Sequence, residues 1–236
     1  LENGHPPIFW ENMAYLLKYD TTYGHYPVEV AAAGQFLTMD GKQVAYMSEQ
    51  DISEVSWDSQ EVDVVVDASG IAKNIELSKK LISNSGVSKV IVTHSSDCVD
   101  NEIVMGVNCD SLSIDDNVVS NSICDANAIA NVMMWVNDEY GVESGSITTL
   151  HPWLSYQNIV DGPAISQSNP GVVWKDFSLG RSSVSSVIPK NTTAMTAVEK
   201  VIPALKGKVM SFSYRIPTGI VASSDLTIRI KKQVCQ

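Results

Sequence analysis

Paired cysteines, histidines, positive charge and long apolar runs are all scarce in this chain of 236 residues. The four cysteines (Cys98, Cys109, Cys124, Cys235) include no C-x-x-C pair, and the four histidines are scattered at 5, 25, 94 and 151. No structural zinc site of the usual paired spacing is expected, so no metal is assigned. So few cysteines suit a reducing, cytoplasmic setting. Lys and Arg number 16 against 27 Asp and Glu, a net charge of −11. That balance lacks the basic footprint nucleic acid requires and points to a small-molecule partner. No apolar stretch approaches the roughly 20 residues of a membrane span, and the first residues do not read as a signal peptide. What is present is ordinary for a globular enzyme: 44% hydrophobic and 18% charged residues, enough for one large domain or two small ones.

The pattern along the chain is α/β first and α+β later. Residues 10–19 read as a short helix with Met13, Leu16 and Leu17 on one face. The β-branched run from Val62 to Asp67, closed by Ala68-Ser69-Gly70, reads as a strand buried on both faces. An amphipathic stretch from Ile75 to Asn84 and the run Val90 to Thr93 complete a strand–helix–strand unit, hence a parallel sheet. A further strand, 117–121, leads straight into a helix over 125–140 that Gly141 stops. Beyond it, strands are expected at 146–150, 208–215 and 226–230, with a helix over 194–205. Residues 162–187, rich in Ser, Gly and Pro, read as one long loop.

Chemistry concentrates at Ser120-Asn121-Ser122-Ile123-Cys124-Asp125-Ala126-Asn127. A cysteine opening a helix, with a candidate base downstream at His151, is the arrangement covalent aldehyde chemistry needs, because the thiolate is the nucleophile and helix N-termini favour it.

These residues resemble the glyceraldehyde-3-phosphate dehydrogenase family. Ser120 to Asn127 follows its S-N-A-S-C-T-T-N, and Thr149, His151 and Asp161-Gly162-Pro163 follow its T-x-H and D-G-P. Val104-Met105-Gly106-Val107-Asn108 matches V-M-G-V-N. Val201 to Lys208 is similar to V-I-P-E-L-N-G-K, and Arg215-Ile216-Pro217-Thr218 with Asp225-Leu226-Thr227 to R-V-P-T and D-L-T. Tyr19 to Gly24 looks like Y-D-S-T-H-G. The resemblance, which includes the erythrose-4-phosphate dehydrogenase branch, implies a partial Rossmann-like domain (1–123) followed by a catalytic domain (124–236), both truncated. The family's opening G-F-G-R-I-G-R and the acidic residue that reads the ribose are missing, so an internal fragment with weak cofactor binding is expected. The implied cofactor is NAD, with NADP left open, and contacts are expected at Ser69, Gly70, Thr93 and His94. A homotetramer is implied too.

The resemblance gives Cys124 the nucleophile's role and His151 the base's. Arg181, Arg215, Thr192 and Thr193 fall on anion-binding positions. Four positions depart from the family. Ile123 and Asp125 replace hydroxyls beside the nucleophile, and Leu154 and Tyr156 replace the threonines that hold the substrate phosphate. A carboxylate about 4 Å from a bound anion would repel it by about 4 kcal/mol at an effective dielectric near 20; its simpler role is as an acidic residue favouring the helix dipole. Three functions remain open: oxidation of an altered aldehyde with phosphate use doubtful, the ordinary phosphorylating reaction of glycolysis, and a non-catalytic binding relative.

Overall fold

The computed structural model describes residues 7–34, 36–47, 49, 51–155, 157–163 and 177–233. Tyr156, Cys235 and residues 164–176 of the expected long loop lie outside them. The chain divides into two compact units, Leu1–Val55 and Ser56–Gln236.

In the first unit, helix α1 (Pro7–Lys18) packs on an antiparallel sheet of β3 (Val30–Ala33), β4 (Phe36–Met39) and β5 (Lys42–Val44), beside a two-stranded ribbon of β1 (Tyr19–Asp20) and β2 (Gly24–His25). Its core is Trp10, Ala14, Val30 and Leu37, flanked by Phe9, Met13 and Tyr46. The expected apolar face is corrected here. Leu16 and Leu17 are exposed, because the i, i+4 pair Trp10 and Ala14 sets which stripe meets the sheet.

The second unit begins with a parallel sheet in the order β6 (Val64–Asp67), β7 (Lys89–Val92), β9 (Val118–Ser120), β8 (Asn101–Glu102). Helix α2 (Ala72–Asn84) supplies the crossover and buries Ile75, Leu77 and Leu81. Val65, Val90, Val92 and Val118 are buried on one face, whereas Val64 and Val66 are exposed on the other. The expectation of a strand covered on both faces therefore fails among the described residues, since α2 lies on one side only.

Helix α3 (Cys124–Tyr140) follows β9 directly and ends at Gly141, whose φ of 69° is the left-handed closure that glycine tolerates best. A mixed sheet follows in the order β11 (Ile188–Lys190), β12 (Val209–Arg215), β10 (Val142–His151), β13 (Ser223–Ile230). Strands β10 and β12 are parallel and in register from Gly145↔Val209 to His151↔Arg215. Helix α4 (Ala194–Val201) is shorter than expected. Pro203 cannot donate the helical hydrogen bond, and the chain passes into a 3₁₀ turn over Pro203–Leu205. Helices α3 and α4 bury Ile129, Met133 and Val198, and the 3₁₀ turn adds Leu205, against Ile147 and Val209, forming the main core.

Candidate functional site

Strand alternation builds one wall of the site. Ile147, Thr149 and His151 on β10, and Val209, Ser213 and Arg215 on β12, are buried toward the helices. The Thr149 hydroxyl donates to Ser213 Oγ at 2.9 Å, cross-linking the two strands just below the site. His151 and Arg215 thus end adjacent parallel strands side by side.

The other wall is the turn between β9 and α3. Ser122 holds φ at 62°, an uncommon conformation for a residue with a Cβ. Side-chain hydrogen bonds hold it there. Ser122 N–H donates to Ser120 Oγ at 2.9 Å, and Ser122 Oγ donates to Glu102 Oε1 at 2.6 Å. Glu102 in turn accepts from Ser95 Oγ and lies 3.4 Å from the Lys200 ammonium. Burial opposes the charge on Lys200, but contacts with Asp97 and Glu102 outweigh it and raise its pKa. This network presents Cys124 as the exposed first residue of α3.

Asp125, 6% exposed, turns inward from the same helical turn. Its Oδ1 lies 2.9 Å and its Oδ2 3.2 Å from Nε2 of His151, itself 5% exposed. A carboxylate only accepts, so Nε2 carries the proton it shares with Asp125. Cys124, Asp125, His151, Leu154, Thr192, Thr193 and Arg215 all line one open cleft of about 590 Å³. Leu154 presents an apolar side chain there, and Thr192 Oγ1 accepts from the Ala194 N–H at the head of α4. Arg215 donates from Nη1 to the Pro152 carbonyl, while its buried Nε has no hydrogen-bond partner among the described residues.

Among the titratable residues of the cleft, sequence reasoning missed one, Lys190. Burial, and then the neighbouring Arg215 charge, push its pKa below 10.5, against the pull of Asp125 and Cys124. A signal existed: Lys190 lies two residues from buried Ile188 in a short strand, so it shares that residue's face. The structure therefore sets two cations against the Asp125 carboxylate, which is itself engaged by His151. The bare repulsion inferred from sequence does not carry over to this cleft. Arg181 is not among the residues lining it. That guanidinium pairs at 3.0 Å with Asp161, both side chains being exposed.

Comparison with known proteins decides the lineage. Residues 123–236 match the family described as glyceraldehyde 3-phosphate dehydrogenase, C-terminal domain, and residues 7–75 match its NAD binding domain. The chain belongs to the glyceraldehyde-3-phosphate dehydrogenase family. It is 36% identical over 228 residues to glyceraldehyde-3-phosphate dehydrogenase 3 of Saccharomyces cerevisiae, covering 97% of this chain and 65% of that one. It is 37% identical over 227 residues to glyceraldehyde-3-phosphate dehydrogenase 1 of Kluyveromyces marxianus, covering 96% and 65%. The chain thus spans about 65% of the length of these relatives.

NAD is the cofactor of this family's nucleotide-binding domain, and the strand ends present fit it in part. Ligands of open parallel sheets bind beyond the carboxyl ends of the strands. There, Asp67 Oδ2 and His94 Nε2 are buried polar atoms without hydrogen-bond partners among the described residues. Ser69 donates to Asp67 Oδ1 from both N–H and Oγ, Thr93 N–H donates to the Asp67 carbonyl, and Gly70 takes a φ of 70°. No Gly-x-Gly-x-x-Gly occurs in the sequence, so a pyrophosphate cradle of that type is not supplied by these residues.

No helix among the described residues is long and apolar enough to cross a membrane.

Proposed function

We propose that this chain carries the chemical half of an NAD-dependent oxidoreductase that oxidises an anionic aldehyde through a thioester on Cys124. The observation that carries this reading is the opposition of an exposed cysteine at the head of α3 to His151 and Arg215 on two adjacent strand ends of the same cleft. The Cys124 thiolate adds to the aldehyde carbon, and the resulting alkoxide takes the thiol's proton by way of the His151–Asp125 pair. When the hemithioacetal is oxidised, its hydroxyl proton passes to the His151–Asp125 pair. NAD, when bound, supplies the hydride acceptor for this step.

Arg215 and Lys190 hold the anionic group of the substrate, with Thr192 and Thr193 as further donors. Leu154 offers no hydrogen bond, so the anion sits on the Lys190 side of the cleft. The dinucleotide-binding portion is assigned to 1–123 and the catalytic portion to 124–236, in a cytoplasmic homo-oligomer. NAD rather than NADP is taken as the cofactor.

Two endings of the reaction differ in what attacks the thioester. Phosphate use is supported by the two cations and the threonine hydroxyls. Attack by water is supported by Asp125, a carboxylate within reach of the Cys124 sulfur. The deciding experiment is NAD reduction by the longest natural form of the protein on glyceraldehyde-3-phosphate, with and without inorganic phosphate. Phosphate-dependent turnover establishes the phosphorylating reaction. Turnover indifferent to phosphate, yet lost in Cys124→Ala, establishes hydrolysis. Turnover retained in Cys124→Ala would overturn the thioester.

A further inference from the structure

Cys124, Asp125 and His151 differ chemically yet converge. One ligand atom from each, a thiol sulfur, a carboxylate oxygen and an imidazole nitrogen, lies within 4.8 Å of the other two. Ligands on a tetrahedral zinc ion, with bonds of about 2.0 Å to nitrogen or oxygen and about 2.3 Å to sulfur, stand roughly 3.3–3.6 Å apart. Asp125 and His151 already meet at 2.9 Å and are held by burial. On zinc, Asp125 and His151 part by about 0.4 Å, and the exposed Cys124 side chain swings inward by at most about 1.2 Å.

We propose that Cys124, Asp125 and His151 form a binding site for a zinc-type divalent cation, with three protein ligands and a fourth position open to the cleft. Thiolate and imidazole select zinc over magnesium or calcium, which prefer all-oxygen shells. The paired-cysteine spacing that excluded a structural zinc site in the sequence has no bearing on a three-ligand site of this kind, whose residues come from α3 and the end of β10.

The balance of atoms is simple. The Cys124 S–H bond breaks, its proton goes to solvent, and a sulfur–metal bond forms. The proton that Nε2 shares with Asp125 also leaves, and two metal bonds replace that hydrogen bond. Nothing is oxidised or reduced. Lys190 and Arg215 line the same cleft. Their charges are offset by the ionised Cys124 and Asp125, and they favour an anion at the fourth metal position.

The site rests on this geometry and not on the aldehyde chemistry, although it would compete with it. A bound ion occupies the sulfur and the nitrogen that the proposed reaction uses, so zinc acts as an inhibitor that a chelator reverses.

The test needs no substrate. Cobalt(II) is titrated into the reduced, metal-free full chain and followed by absorption. A sulfur-to-cobalt charge-transfer band that saturates at one ion per chain and is abolished by zinc is expected. Cys124→Ser removes that band, Asp125→Asn weakens cobalt binding by at least about tenfold, and joint replacement of Cys98 and Cys109 by Ser leaves the band in place. Because Cys124 is exposed, its serine variant keeps the fold even if Asn at buried 125 does not. Absence of a sulfur band in the parent chain, its persistence in Cys124→Ser, or its loss in the Cys98/Cys109 variant overturns the proposal. Failure of the aldehyde reaction would leave these spectra unchanged, so the two claims fail separately.

Discussion

Lys190 is where the charge of the cleft is set, and it has a pH signature. Its pKa is lowered by burial and by Arg215, so the folded chain releases its proton at a lower pH than the unfolded chain does. Between that lowered value and 10.5 the unfolded state binds more protons, and this lysine's contribution to stability therefore rises with pH. Anion binding runs the other way, because it needs the charged form. The KM for an anionic aldehyde is expected to climb with pH below the ordinary lysine range, and Lys190→Met to remove that dependence and raise KM by about tenfold or more, the loss of a charged hydrogen bond. Steady-state kinetics against pH check this. A pH-independent KM in the parent protein would remove Lys190 from the substrate site. At the neighbouring position, Asp125→Asn keeps a partner for His151 but takes away the carboxylate that shares its proton. The expected result is a fall in kcat of about a hundredfold with an altered pH–rate profile, whereas an unchanged profile would make the pair purely structural.

Helix and strand ends, more than interiors, decide the geometry of the site. The turn into α3 depends on Ser122, whose hydroxyl reaches Glu102 while its backbone sits at positive φ. Ser122→Ala removes a buried hydrogen bond to a charged group, for an expected loss of about 2 kcal/mol. Ser122→Gly eases the backbone and should lose less, and denaturant melts of the two variants measure the difference. On β10, Gly145 lies so close to β13 that a Cβ would stand 2.7 Å from the Thr227 carbonyl oxygen and 2.7 Å from the Ile228 Cδ1. Gly145→Ala is expected to cost about 1–3 kcal/mol through forced separation of the strands, read as a lowered midpoint in the same melts. A midpoint equal to the parent's would mean that the sheet yields there.

At the scale of the whole molecule, strand alternation and helix punctuation made most elements legible. Gly141 marked the end of α3, and the run leading to Asp67 marked β6. Three features were not legible, each because it depends on partners distant in sequence. Which stripe of α1 is buried was decided by β3 and β4, not by the count of leucines. The exposure of Val64 and Val66 follows from α2 lying on one face only. The role of Asp125 depended on where β10 delivers His151, 26 residues later; sequence supplied its repulsion but not the imidazole and two cations that meet it. The meeting of Cys124 and His151 in one cleft was readable, because each sits at the end of an element whose pattern was plain.

The central claim is that Cys124 carries the substrate as a thioester, and it can be observed directly. The longest natural form of the protein, freed of phosphate, is mixed with NAD and glyceraldehyde-3-phosphate, quenched in acid within the first turnovers, and mapped by peptide mass. The account predicts an acyl mass increment on the peptide containing Cys124, formed together with reduced cofactor, and neither in Cys124→Ala. Reduced cofactor appearing at full rate in that variant, or an acyl group on a different residue, would contradict it.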